Sequence, residues 1–160
     1  MLNNTWRSQQ YSIKTKLRLY QSCVGFTLLY DSEFWRMTVS HPTKLSVFYT
    51  KNLRRIKRVL WPNTISNEEL LAQCHQESMD TILMRRRWRW IGYVLRRKLN
   101  NITHVALHWT PEGKRKRGRP KNTWRRAVEG ELKTLKYNWD TIRKQALSKQ
   151  QWRTFVAALQ

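Results

Sequence analysis

Acidic side chains are scarce in this sequence: ten aspartates and glutamates stand against 32 lysines and arginines over 160 residues, a formal net charge of +22. None of the ten falls in the paired or DxD-like spacing that two-metal phosphoryl transfer requires, and Glu68-Glu69 is better explained as part of a helix start. A pI near 11.0 also sets the chain apart from ordinary soluble enzymes and makes a polyanion the implied partner. Cysteine is as sparse: Cys23 and Cys74 give no disulfide framework and read as small apolar groups of a reduced intracellular protein, nuclear or cytoplasmic.

With only five glycines and four prolines there is no glycine-rich phosphate loop and no nucleophile elbow. The longest apolar run, within Cys23 to Tyr30, is too short to span a bilayer and contains Thr27, and no stretch reads as a signal peptide, so no membrane partner is expected. Of the four histidines, His104 and His108 make one loose pair, with Cys74-His75 as distant company, where a metal site of this kind shows two tight pairs. The expectation is therefore no catalytic residue, no metal, no cofactor and no small-molecule substrate.

What is present is cationic and aromatic. Residues 85–126 carry fifteen lysines and arginines against one acid, and nine tryptophans are available for cores or for stacking on unpaired bases. The densest stretch is Gly113 to Arg126, GKRKRGRPKNTWRR, with eight cations and no acid. At its centre Arg117-Gly118-Arg119-Pro120 resembles the core of an AT-hook: glycine allows close backbone approach, proline holds the chain extended, and the guanidinium groups can reach into a narrow groove. The alternative is a basic linker that touches phosphates without reading sequence. A second cluster, Arg85-Arg86-Arg87-Trp88-Arg89-Trp90, breaks the amphipathic pattern of its segment. There Arg85, Arg86, Arg87 and Arg89 are expected on phosphates, with Trp88 as a possible stacking platform, although a tryptophan at helical spacing more often belongs to a core. Arg96, Arg97, Lys114, Arg115, Lys116, Arg117, Gly118, Arg119, Pro120, Lys121, Arg125 and Arg126 complete the expected nucleic-acid-binding set.

Periodicity predicts an all-α fold of about six or seven helices in two small bundles joined by the basic Gly/Pro-containing arm. Ser12 opens a helix expected to run to about Arg36, with the apolar stretch Val24 to Tyr30 central to the first core. Pro42 sits in the first turn of the next helix, whose stripe Leu45, Phe48, Tyr49, Leu53, Ile56, Val59 and Leu60 leaves Lys51, Arg54, Arg55, Lys57 and Arg58 as a basic face; Trp61-Pro62-Asn63 is the expected stop. Ser66 and Glu69 form a capping box, Ser78 starts a helix to about Lys98, and residues 100–113 hold a short helix or strand. Asn122 or Thr123, Asn138 and Ser148 open the last three helices. The expected division is a helical region over 1–62, a basic helical region over 63–112, the arm over 113–121 and a C-terminal bundle over 122–160.

Four stretches read together as familiar: Ser12 to Tyr20 (SIKTKLRLY), Leu29 to Trp35 (LYDSEFW), Arg86 to Arg96 (RRWRWIGYVLR), and Gly118-Arg119-Pro120 with Trp124. In order and rough spacing they resemble the C-terminal part of the endonuclease/reverse-transcriptase protein of non-LTR (LINE-type) retrotransposons, over nearly the whole chain. The resemblance implies that residues 1–60 correspond to the polymerase thumb and that the rest grips template RNA or target DNA. It also implies a fragment without the palm aspartates or the endonuclease, so no enzyme by itself. Two positions depart from the family pattern: Asp31 stands where the family has glycine, and Tyr93 where it has histidine. The expected function is a non-catalytic segment binding RNA, DNA or both; the alternative is a ribosome- or chromatin-associated basic module that binds polyanions nonspecifically.

Overall fold

Short polar side chains set most helix starts. In each case an oxygen of the capping residue accepts the backbone N–H three residues on: Ser12 from Thr15, Ser66 from Glu69, Ser78 from Thr81, Thr123 from Arg126, Asn138 from Thr141 and Ser148 from Gln151. The computed structural model describes residues 2–37, 40–109, 113, 118 and 123–159. The protein is all-α, with no strand among the described residues. Its helices are α1 (Asn3–Arg7), α2 (Ile13–Tyr20), a π-helical turn (Gln21–Gly25), α3 (Phe26–Leu28), a 3-10 turn (Ser32–Phe34), α4 (Ser40–Lys57), α5 (Asn67–Cys74), α6 (Met79–Leu95), α7 (Ile102–His108), α8 (Trp124–Thr134), α9 (Trp139–Leu147) and α10 (Lys149–Ala158). None is long and apolar enough to cross a membrane among the described residues.

Helix ends follow a second rule. α4, α5 and α8 close through Arg58, His75 and Lys136, at φ of 61°, 51° and 59°. At each, the left-handed residue donates its N–H three residues back and its successor donates five residues back, as in Val59 N–H to Arg54 C=O at 3.0 Å. Glycine is the usual residue there, and this chain has few. We expect Lys136→Gly, at an exposed position, to raise stability by about 1 kcal/mol, since a left-handed backbone costs an L-residue about that much. A higher urea midpoint at unchanged slope is the result to look for; an unchanged or lower midpoint refutes it.

The chain divides into two compact units, Met1–Asp31 with Val39–Leu83, and Ser32–Thr38 with Met84–Gln160. The division falls inside α6, between Leu83 and Met84, and not near the stop expected at residue 62. α4 itself ends at Lys57, short of Trp61-Pro62, because Arg58 turns left-handed.

In the first unit the core joins Trp6, Leu17, Tyr20 and Leu29 to Tyr49, Leu53 and Ile56 of α4 and to Leu70 and Cys74 of α5. Tyr20 sits edge-on to Trp6 at 6.5 Å and tilted against Tyr49 at 6.1 Å. Lys16 is buried, its ammonium donating to the carbonyls of Trp6 and Ser8 at 2.9 and 2.6 Å, so one cation of the α2 approach is a structural tie. The carboxamide of Gln76 accepts from Gln21 and from the Tyr49 hydroxyl and donates to the Cys74 and His75 carbonyls, fastening α5 to both neighbours. The expected helix from Ser12 to Arg36 is shorter: Asp31 takes φ 52°, through which a helix cannot continue. Val24 to Tyr30 is not the centre of the core. Leu29 alone of this run is buried, while Phe26 and Tyr30 are 69% and 72% exposed.

The second unit packs Trp88, Ile91, Val94 and Leu95 of α6 against Leu107, Val128, Leu132, Ile142, Ala146 and the α10 set Trp152, Phe155 and Val156. Gly92 is the close-contact point of α6 and α10: an added Cβ would lie 2.0 Å from the indole nitrogen of Trp152. That nitrogen donates to the Trp88 carbonyl at 3.1 Å.

Candidate nucleic-acid interface

The arginine cluster of α6 was expected to face phosphates from one side of a helix, but its members divide by position. Trp88 is fully buried; its indole N–H donates to Glu131 at 2.9 Å and its ring meets Phe155 edge-on, so it cannot stack on a base. Arg87 lies on the same buried stripe, 3% exposed, with its guanidinium on the other oxygen of Glu131. Burial pushes the Glu131 carboxyl above the usual carboxylate range, with Arg87 and the Trp88 N–H pulling the other way. Arg85 donates to the carbonyls of Leu159 and Ala157, holding the end of α10. Arg86 pairs with Glu33 at 3.2 Å. Arg89 is exposed and makes no ion pair or hydrogen bond to a described residue, which leaves it as the α6 cation open to an external phosphate.

Beyond the buried stripe the same division continues. Arg96 donates to the Ala146 carbonyl at 3.1 Å, and Arg97 lies 4.3 Å over the Tyr93 ring while also bonding its hydroxyl. Arg125 reaches Glu129 and the His108 carbonyl, and Arg126 is exposed with an interaction of its own. Of the basic arm, Lys114, Arg115, Lys116, Arg117, Arg119, Pro120 and Lys121 lie outside the described residues. Gly113 and Gly118 are described, at φ 94° and 80°, with open space around each. Glycine at 118 is therefore required by the backbone as well as suited to close approach.

Residues from three of the four stretches read above as resembling the retrotransposon family, all but Ser12 to Tyr20, meet in the second unit. Phe34 is edge-on to Trp90 at 4.7 Å, Trp90 edge-on to Trp124 at 5.7 Å, the Trp124 N–H donates to the Glu33 carbonyl at 2.7 Å, and Arg86 takes the Glu33 carboxylate. Most of the aromatic signal in those stretches thus serves packing.

His104 and His108 share one face of α7, ring centroids 5.1 Å apart, and His108 Nε2 lies 3.1 Å from the Arg143 guanidinium. Burial, then Arg143, His104 and Arg125, lowers the His108 pKa, so at neutral pH it is an uncharged acceptor. Cys74 and His75 belong to the other unit, and no group of three or more His, Cys, Asp or Glu able to hold a metal occurs among the described residues. Burial pushes Tyr20 up to about 12 and Tyr49 further, so neither supplies a phenolate.

In the first unit the basic face of α4 borders two open clefts, of about 390 and 410 Å³, which share Arg55 and Leu60. The first also takes Arg7 of α1, a residue the sequence pattern did not single out because it precedes any clear periodicity. Trp61, beside Leu60 in sequence, is 89% exposed. Compared with protein-family models, curated proteins and solved structures, the chain matches none.

Proposed function

We propose that this chain is a non-catalytic nucleic-acid-binding segment of a non-LTR retrotransposon reverse transcriptase, one that grips RNA or DNA through its phosphates. The observation that carries the reading is the charge: fifteen cations against one acid over residues 85–126, with Arg89 exposed and open to an external partner. Two further observations support the family. Three of the four stretches that resemble it pack on one another around Glu33, Trp90 and Trp124. Asp31, standing where the family has glycine, adopts the left-handed backbone that glycine favours.

Fluorescence anisotropy against single-stranded RNA, an A·T duplex and a G·C duplex, over a salt series with heparin as competitor, tests the reading. We expect one ligand to be preferred by about tenfold and Arg117→Ala/Arg119→Ala to abolish that preference. Arg89→Ala should lower the salt slope by about one unit. Equal binding of all ligands and heparin, with the arm variant only flattening the salt dependence, would instead identify a nonspecific polyanion binder.

A further inference from the structure

The lining of the smaller cleft of the first unit includes three arginines and no acid. The cleft is lined by Asn3, Trp6 and Arg7 of α1 and by Arg55, Arg58 and Leu60 at the end of α4. Arg7, Arg55 and Arg58 are exposed, and the side chain of none makes an ion pair or hydrogen bond to a described residue. Three of the four α6 arginines, by contrast, have internal partners: Arg85 the Leu159 carbonyl, Arg86 Glu33 and Arg87 Glu131. Like charges gathered on one concavity repel, and an anion with several acceptor oxygens relieves the repulsion while using the guanidinium fork on two oxygens at a time.

The chemistry of that anion can be narrowed. Three fixed positive charges suit a dianion better than a carboxylate or a phosphodiester, each of which carries one negative charge; a terminal phosphate monoester carries close to two near neutral pH. A volume of about 390 Å³ exceeds what a phosphate group fills and falls in the range of small-ligand sites, which leaves space for an attached nucleoside. The wall also supplies groups a nucleoside can use, a carboxamide from Asn3 and apolar surface from Leu60, itself 67% exposed.

We propose that this cleft binds the phosphate monoester of a nucleotide, either at the end of a nucleic-acid strand or as a free mononucleotide. Only the strand-borne source rests on the nucleic-acid reading above; a free mononucleotide would occupy the same cleft without it.

The test uses the full chain. Anisotropy compares single-stranded oligonucleotides that end in a 5′-phosphate, a 3′-phosphate or hydroxyls only, and calorimetry compares AMP with adenosine. The site variant is Arg55→Gln/Arg58→Asn, asparagine being chosen because it tolerates the left-handed backbone at 58. The control is Lys149→Gln/Arg153→Gln on α10, which removes the same charge from the other unit, and Arg7→Gln provides a single-site check that leaves the α4 turn intact. The expected result is about tenfold tighter binding of one phosphorylated end, lost in the site variant and reduced by Arg7→Gln but kept in the control. AMP that competes for the same cleft extends the site to free nucleotides. If AMP binds and no oligonucleotide binds better than heparin, the nucleic-acid reading falls and the site stands. The proposal is overturned if neither phosphorylated end nor AMP gains over its hydroxyl counterpart, or if the control loses as much as the site variant.

Discussion

Glu131→Ala should cost the second unit about 3–5 kcal/mol, most of the margin of a small domain. Arg87 is 3% exposed, on the stripe of α6 that also buries Trp88 and Ile91, and cannot lose its charge; without Glu131 the guanidinium and the Trp88 N–H are left in an apolar core unanswered. The pair is needed once Arg87 is present, which is different from being a net source of stability. Removing both charges separates the two statements: Arg87→Met/Glu131→Leu should recover most of the loss, because a buried ion pair replaced by apolar groups of similar volume is often neutral or better. The pH dependence has a definite sign. The Glu131 pKa is raised by burial, so the folded state binds that proton more tightly than the unfolded chain does. Its favourable contribution is present below the ordinary carboxylate pKa and declines as pH rises through the raised one. The double variant should lack that decline. Urea unfolding of the full chain, followed by tryptophan fluorescence, measures all three; a Glu131→Ala midpoint within error of the parent would show that Arg87 is hydrated.

Local signals and distant ones were unequally legible in the sequence. Ser12, Ser66, Ser78, Thr123, Asn138 and Ser148 mark helix starts because a cap is made within three residues, and each accepts the N–H its position predicts. Helix ends were less legible, since Asp31, Arg58, His75 and Lys136 turn left-handed without a glycine to announce it. The roles of the α6 arginines were hidden for another reason. Arg87 shares the helical face of Ile91 and Val94, four and seven residues on, but its acid lies 44 residues away, beyond the reach of any periodicity. Trp88 belongs to that same face, and its tight surroundings come from α8 and α10. The cations that local reasoning grouped as one surface were thus sorted by tertiary partners into ties, such as Arg85 and Arg96, and an open one, Arg89. The arginine cleft of the first unit has the same origin: Arg7 and Arg55 are 48 positions apart in the chain and meet only when α1 packs on α4.

The second large effect is expected from the smallest side-chain change available. In Gly92→Ala the new methyl would lie 2.0, 2.2 and 2.6 Å from three atoms of the Trp152 indole, all well inside contact distance. Alanine favours a helix over glycine by about 1 kcal/mol, so propensity alone predicts stabilisation. Packing should reverse the sign. The Trp152 ring is 3% exposed, touches Trp88 and Phe155, and is anchored by its bond to the Trp88 carbonyl, so it cannot swing aside without breaking that bond or moving α10. Overpacking of this kind costs about 1–3 kcal/mol or more. The cause can be isolated by a double-mutant cycle with Trp152→Leu, which by itself opens a cavity and is destabilising. If the clash is the reason, Gly92→Ala becomes harmless or stabilising in the Trp152→Leu background, because the methyl then enters space the indole vacated. Additive losses would mean that α6 and α10 do not approach at Gly92 as closely as the indole contact requires, and a stabilised single variant would show that helix propensity outweighs the contact.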